Sequence, residues 1–149
     1  MRLIVVGVDG SKGSRAATVW AAAQAAATGA EVLAVYVVRR TEILEMAAVQ
    51  VDSGPVLQRY RDKLAGVWTA PLRTAKVRYR TRLVRGDPAA ELLRCAQTAR
   101  ADLIVIGMKK HSALHELALG GTAHKVANRA TRPVTLVPAG PPRERAAGG

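Results

Sequence analysis

The sequence predicts an α/β domain, an open parallel sheet with helices on both faces, three layers deep. Three observations carry this. Short apolar runs alternate along the chain with longer stretches of helical spacing. Most of those runs are apolar throughout and rich in Val, Ile and Leu, as in strands covered on both sides. Finally, 49% of the 149 residues are apolar without a single Phe, so the core has to be packed from aliphatic side chains and alanine. That length fits one domain able to bury a core without disulfides or a structural metal. Residues 1–139 are expected to form it, and 140–149, with Pro, Arg, Glu and Gly and no apolar pattern, to be a flexible tail.

Arg2 to Val8 is the first apolar run, closed by a Gly/Asp/Ser cluster. Gly10-Ser11-Lys12-Gly13-Ser14 reads as a turn with a serine helix cap, and Arg15 to Thr28 as an alanine-rich helix stopped by Gly29. Glu31 to Val38 is a second strand. Arg39 to Pro55 carries no single pattern, whereas Val56 to Ala70 has helical spacing through Leu57, Tyr60, Leu64 and Val67. In Lys76 to Arg85 apolar and Thr positions alternate with Arg78, Arg80 and Arg82, the period of a strand buried on one face only. An edge position suits it, because charges there discourage pairing with other chains. Gly86-Asp87-Pro88 reads as turn, cap and first helical residue. The helix it opens runs to about Arg100, with Leu92, Leu93, Cys95 and Ala96 turned to the core. Leu103 to Ile106, a loop, a helix and Val134 to Val137 complete four strand–helix units with a closing strand, the pattern of a parallel sheet with right-handed crossovers.

Composition narrows the function classes. A formal charge of +12 can mark a polyanion binder. Here most basic residues are Arg amid heavy Ala and Gly usage, and the Arg78/Arg80/Arg82 face reads first as a solvated edge, so nucleic acid is not the expected partner. The single Cys excludes an internal disulfide and fits a reducing compartment, and no stretch is apolar and long enough to suggest a membrane span; a cytoplasmic protein is expected. Cys95 reads as a small core residue, His124 as helix surface, and Trp20 and Trp68 as packing. His111 and His115, with Glu116 adjacent, have helical spacing for a metal but lack a third ligand. Neither a dinucleotide fingerprint nor a Gly-Lys-Ser/Thr loop is present, and Lys12 reads as a solvated loop lysine. Near the loops no poised base or metal-binding carboxylate pair stands out, so an enzyme is not expected.

The most telling segment runs from Gly107 to Thr122. A buried strand ends on Gly107, enters the basic loop Met108-Lys109-Lys110-His111-Ser112, and reaches Gly120-Gly121-Thr122 at a helix start. Glycines let backbone amides approach a ligand, and a helix N-terminus adds positive potential, the means by which proteins hold phosphate. Lys109 and Lys110 supply cations beside it. Both this loop and the one after the first strand sit at carboxyl ends of strands, where such sheets bind ligands.

Val5-Val6-Gly7-Val8-Asp9-Gly10-Ser11, Gly86-Asp87-Pro88 before a helix, Ala101 to Gly107, and Gly120-Gly121-Thr122 through Arg132-Pro133-Val134-Thr135-Leu136-Val137 together resemble the universal stress protein family, in register over about residues 2 to 138. The resemblance implies strand order 3-2-1-4-5 and a homodimer formed through the last strand, Val134 to Val137. It also implies ATP or a related adenine nucleotide as ligand in some members, with Mg2+ or Mn2+ only as the nucleotide's counter-ion. It places Asp9, with Val8 beside it, at the adenine or ribose end of the site, and matches Val37 to the residue packed on adenine. The residue-level alternatives are a turn carboxylate at Asp9 and a plain core valine at Val37. ATP-binding members carry glycine, two residues, glycine, nine residues, then glycine and Ser or Thr. Gly107 and Gly120 match; Lys110 replaces the second glycine and Gly121 the hydroxyl residue, with Thr122 one position late. If a positive φ were needed at 110, Lys110 would cost about 1 kcal/mol or more; otherwise the loop takes another path. Two functions stay open: a dimeric nucleotide-binding stress protein, and a dimeric interaction protein of the same family without nucleotide.

Overall fold

A computed structural model describes residues 1–110, 117–118 and 120–140. The chain runs β1 (Leu3–Gly7), α1 (Lys12–Thr28), β2 (Glu31–Arg39), α2 (Arg40–Ala48), α3 (Ser53–Ala65), a 3-10 turn (Val67–Thr69), α4 (Ala70–Thr74) and β3 (Tyr79–Gly86). It continues with α5 (Pro88–Thr98), β4 (Leu103–Gly107), β5 (Lys109–Lys110), β6 (Leu117–Ala118), α6 (Gly121–Arg129) and β7 (Val134–Val137). Five strands form one sheet in the order β3-β2-β1-β4-β7, every pairing parallel. With β7 as the fifth strand of the sheet, this is the expected 3-2-1-4-5.

The apolar strands form the middle layer because both of their faces are covered. Ile4 and Val6 of β1 face Ala17, Ala21, Ala22 and Ala25 of α1 together with Leu64 of α3 and Leu72 of α4. Leu3 and Val5 face the other way, into Leu92, Cys95 and Ala96 of α5 and Ala123 and Val126 of α6. Alternate side chains of a strand point to opposite faces, so one apolar run serves both cores. β3 lies at an edge, with Arg78 and Arg80 exposed, Arg82 half-buried, and Arg80 paired to Glu31 of β2.

The structure departs most from the sequence reading in four places. α1 begins at Lys12, three residues early, because Ser11 and not Ser14 is the cap: its Oγ accepts from the Ser14 amide at 3.1 Å. The patternless Arg39–Pro55 segment holds α2, which buries none of its residues and so leaves no periodic signature. The expected helix from Val56 to Ala70 starts earlier, where Asp52 caps the Gly54 amide at 2.9 Å, and ends at Ala65 against Gly66. Val67 therefore falls in the 3-10 turn and is exposed rather than joining Leu57 and Leu64 in the core. β3 begins at Tyr79 because Lys76 takes a positive φ of 54° and turns the chain first. Of the expected tail, only residue 140 lies within the described residues.

Candidate functional site

At the carboxyl end of the sheet, β1, β2 and β4 stop beside the first turns of α1, α2, α5 and α6. Between them lies a cleft of about 170 Å³, whose lining includes Val8, Asp9, Val37, Gly107, Lys109, Gly120 and Thr122. Seven of the sequence-predicted positions are thus brought together. Gly121 does not line it; it opens α6 with open space where a side chain would stand. Lys110 belongs by its backbone to β5, paired antiparallel with β6, so the chain is extended at the place of the second glycine. His111, His115 and Glu116 lie outside the described residues, whereas Lys12 and His124 are exposed and Cys95 is buried.

The floor is a backbone junction. A Cβ built on Gly13 would stand 2.4 Å from the Met108 carbonyl oxygen, and one on Gly107 would stand 2.2 Å from the Gly13 carbonyl. The start of α1 and the end of β4 touch main chain to main chain, an approach that only glycine permits. The loop between β1 and α1 is held by side chains of its own: the Asp9 amide donates to Ser14 Oγ at 3.0 Å, and the Ser11 amide donates to Asp9 Oδ1 at 2.9 Å. Asp9 is therefore a turn carboxylate and a lining residue of the cleft at once.

The opposite wall is cationic. Lys109 lays its stem across Gly120, with Cδ 3.1 Å from where a Gly120 Cβ would be. Gly120 is the N-cap of α6, and among the described residues no side chain caps that helix, in contrast to α1 and α5, which Ser11 and Asp87 cap. Nor is there an acidic residue in its first turn. The amides of such a turn, with the helix dipole behind them and a lysine beside them, make a place for an anion.

Sequence reasoning missed the third wall. Tyr36, Arg39 and Glu42 line the cleft at the end of β2 and the start of α2. Glu42 accepts a short hydrogen bond from the Tyr60 hydroxyl, tying α2 to α3. Tyr60 lies beside Tyr36 and Trp68, with Tyr36 centred 5.0 Å from Tyr60 and 4.9 Å from Trp68. Burial, then the neighbouring Tyr60, then the Glu42 carboxylate push the Tyr36 hydroxyl well above its ordinary pKa. Tyr60 is raised chiefly by its bond to Glu42. Both phenols thus stay protonated through the physiological range, and Tyr60 donates to Glu42. Only the helical spacing of Tyr60 was visible beforehand; Glu42 sits in a segment with no pattern to read.

Over residues 1–138 the sequence matches the model of the universal stress protein family. The chain belongs to that family. Universal stress protein MJ0531 of Methanocaldococcus jannaschii is 30% identical over 143 residues, covering 90% of this chain and 80% of that protein. The hypothetical protein MJ0577 shares the fold with a TM-score of 0.77 at 21% identity, over 92% of this chain and 95% of its own. A universal stress protein solved in complex with cAMP superposes with a TM-score of 0.67 at 25% identity, over 93% and 98%. The five-stranded parallel sheet of these proteins is present here, in the strand order expected from the family. Among the described residues no helix is long and apolar enough to cross a membrane.

Proposed function

We propose that this universal stress protein binds an adenine nucleotide, with ATP as the ligand, in the cleft between β1, β2, β4 and α6. The observation that carries the reading is the pairing of the uncapped α6 N-terminus with the Lys109 stem across it, facing Asp9 and Val37 over one continuous cleft. A relative that holds cAMP supports an adenine nucleotide as the class. Phosphates would take the α6 amides and the Lys109 cation, Val37 would pack on the base, and Mg2+ or Mn2+ would enter only with the nucleotide. The role is that of a binding module in the cytoplasm and not of an enzyme. Among the described residues the carboxylates lining the cleft, Asp9 and Glu42, each have one oxygen held, by the Ser11 amide and by the Tyr60 hydroxyl.

The decisive measurement is calorimetric titration with ATP at low salt. Heat of binding is expected, with affinity falling about fivefold in Lys109→Ala, the equivalent of one exposed charged contact worth about 1 kcal/mol. No heat at millimolar ATP overturns the reading and leaves the interaction role. Lys110 favours that second reading, since it stands where ATP-binding members have glycine. Binding that appears only in a Lys110→Gly, Gly121→Ser double variant would establish it. A second copy of the chain, docked through β7, completes the proposal. β7 is an edge strand whose Val134, Thr135 and Leu136 stay half-buried in the isolated chain. Sedimentation is expected to show a dimer; a monomer at micromolar concentration removes it.

A further inference from the structure

The third wall of the cleft lies across from the phosphate end, at the end of β2 and the start of α2. Tyr36 from β2 and Glu42 from the first turn of α2 line it, and Tyr60 from α3 stands behind them. The Tyr60 hydroxyl donates to Glu42 Oε1. The Tyr60 ring packs in turn on Tyr36 at 5.0 Å and on Trp68 at 6.4 Å, so the donor to the carboxylate is braced by two rings. Among the described residues, Glu42 Oε2 has neither a hydrogen-bond nor an ion-pair partner. A carboxylate that lines a cleft with one oxygen anchored and the other unpartnered is an acceptor awaiting a donor.

The sheet says where that donor would be. With phosphate at α6, next to β4, the order β2-β1-β4 puts the end of β2 two strand spacings away, roughly 10 Å. Asp9, at the end of β1, stands between them at the sugar's position, and Glu42, beyond β2, stands at the base. We infer that Glu42, held by Tyr60, is the base-reading group of the cleft, its free oxygen accepting a hydrogen bond from the exocyclic amino group of a 6-aminopurine. The inference rests on the nucleotide reading and adds to it the residue that chooses the base. A 6-oxopurine presents a carbonyl oxygen in place of the amine, and oxygen facing carboxylate repels. A site built to accept from an amine rejects the analogue lacking it more strongly than shape alone would.

The test compares ATP by titration with inosine triphosphate, in which a 6-oxo group replaces the 6-amino group and N1 carries a hydrogen. Wild type is expected to prefer ATP by about tenfold, the effect of one hydrogen bond to a charged group. Glu42→Gln, whose amide can both donate and accept, is expected to bring the two affinities within about twofold. Tyr60→Phe, which frees the carboxylate without removing it, is expected to fall between. Equal binding of the two nucleotides by wild type, or a tenfold preference that survives Glu42→Gln, overturns the assignment to Glu42 while leaving the nucleotide site intact. Binding of neither nucleotide overturns the nucleotide reading, and this inference with it.

Discussion

Gly13 and Gly107 do different work from Gly121, although all three read alike as small residues in glycine-bearing loops. At 13 an added methyl meets the Met108 carbonyl at 2.4 Å, main-chain density that has nowhere to go, whereas at 121 it meets nothing within 4 Å. Gly13→Ala is expected to cost about 2 kcal/mol, as overpacking against backbone does. Gly121→Ala is expected to change stability by less than about 0.5 kcal/mol. Urea denaturation of the two variants checks the contrast, and equal midpoints would contradict it. Gly107 was legible as part of a ligand loop, yet its tightest constraint is the contact with Gly13, which no spacing in the sequence announces. Tyr36, Arg39 and Glu42 were not legible as site residues at all. Two of them belong to the Arg39–Pro55 segment, where periodicity has nothing to record because α2 buries no side chain. Asp9, Val8 and Val37 came from the family resemblance and not from local pattern, and the structure puts all three in the lining of one cleft.

Among the elements, α2 stands apart. It has no buried residue, exposes Leu44 at 61%, and is anchored through the Glu42–Tyr60 bond and its junction with β2. Its amides are therefore expected to exchange with solvent much faster than those of β1 and β4, whose side chains are almost wholly buried. Hydrogen-exchange mass spectrometry checks this; equal protection in α2 and β1 would count against it. The start of β1 is pinned differently. Asp102, just before β4, accepts from the Arg2 amide at 2.6 Å and the Leu3 amide at 3.0 Å, and these bonds lower its carboxyl pKa below the ordinary 3.8. A carboxylate depressed in the folded state stabilises it above the unfolded value of 3.8 and loses that contribution as pH falls through the lower folded value. Asp102→Asn is expected to flatten the fall in stability below pH about 4 and to leave its slope near neutrality unchanged. Thermal melts across that range decide it. Element types were readable where residues are buried with a period. Ends were misplaced where a cap chooses among neighbours, as Ser11 does over Ser14, or where a backbone turn such as that at Lys76 intervenes.

For the whole molecule, the three-layer arrangement followed from alternation alone, because apolar runs without polar interruption need helices on both faces. The arginine period of β3 marked it as an edge before any pairing was known, and it is one. Strand order came from the family resemblance, since order is set by long-range packing that local pattern does not encode. One feature of the assembled chain has an optical consequence. Trp68 is one of two tryptophans and lies 4.9 Å from Tyr36, a lining residue of the cleft, while Trp20 sits on α1. Trp20→Phe would leave a single indole emitter a ring's width from the ligand. A nucleotide entering between Val37 and Glu42 is then expected to shift or quench its fluorescence, and a silent titration alongside calorimetric binding would place the base elsewhere. The protein carries its own dye one ring behind the wall of its cleft.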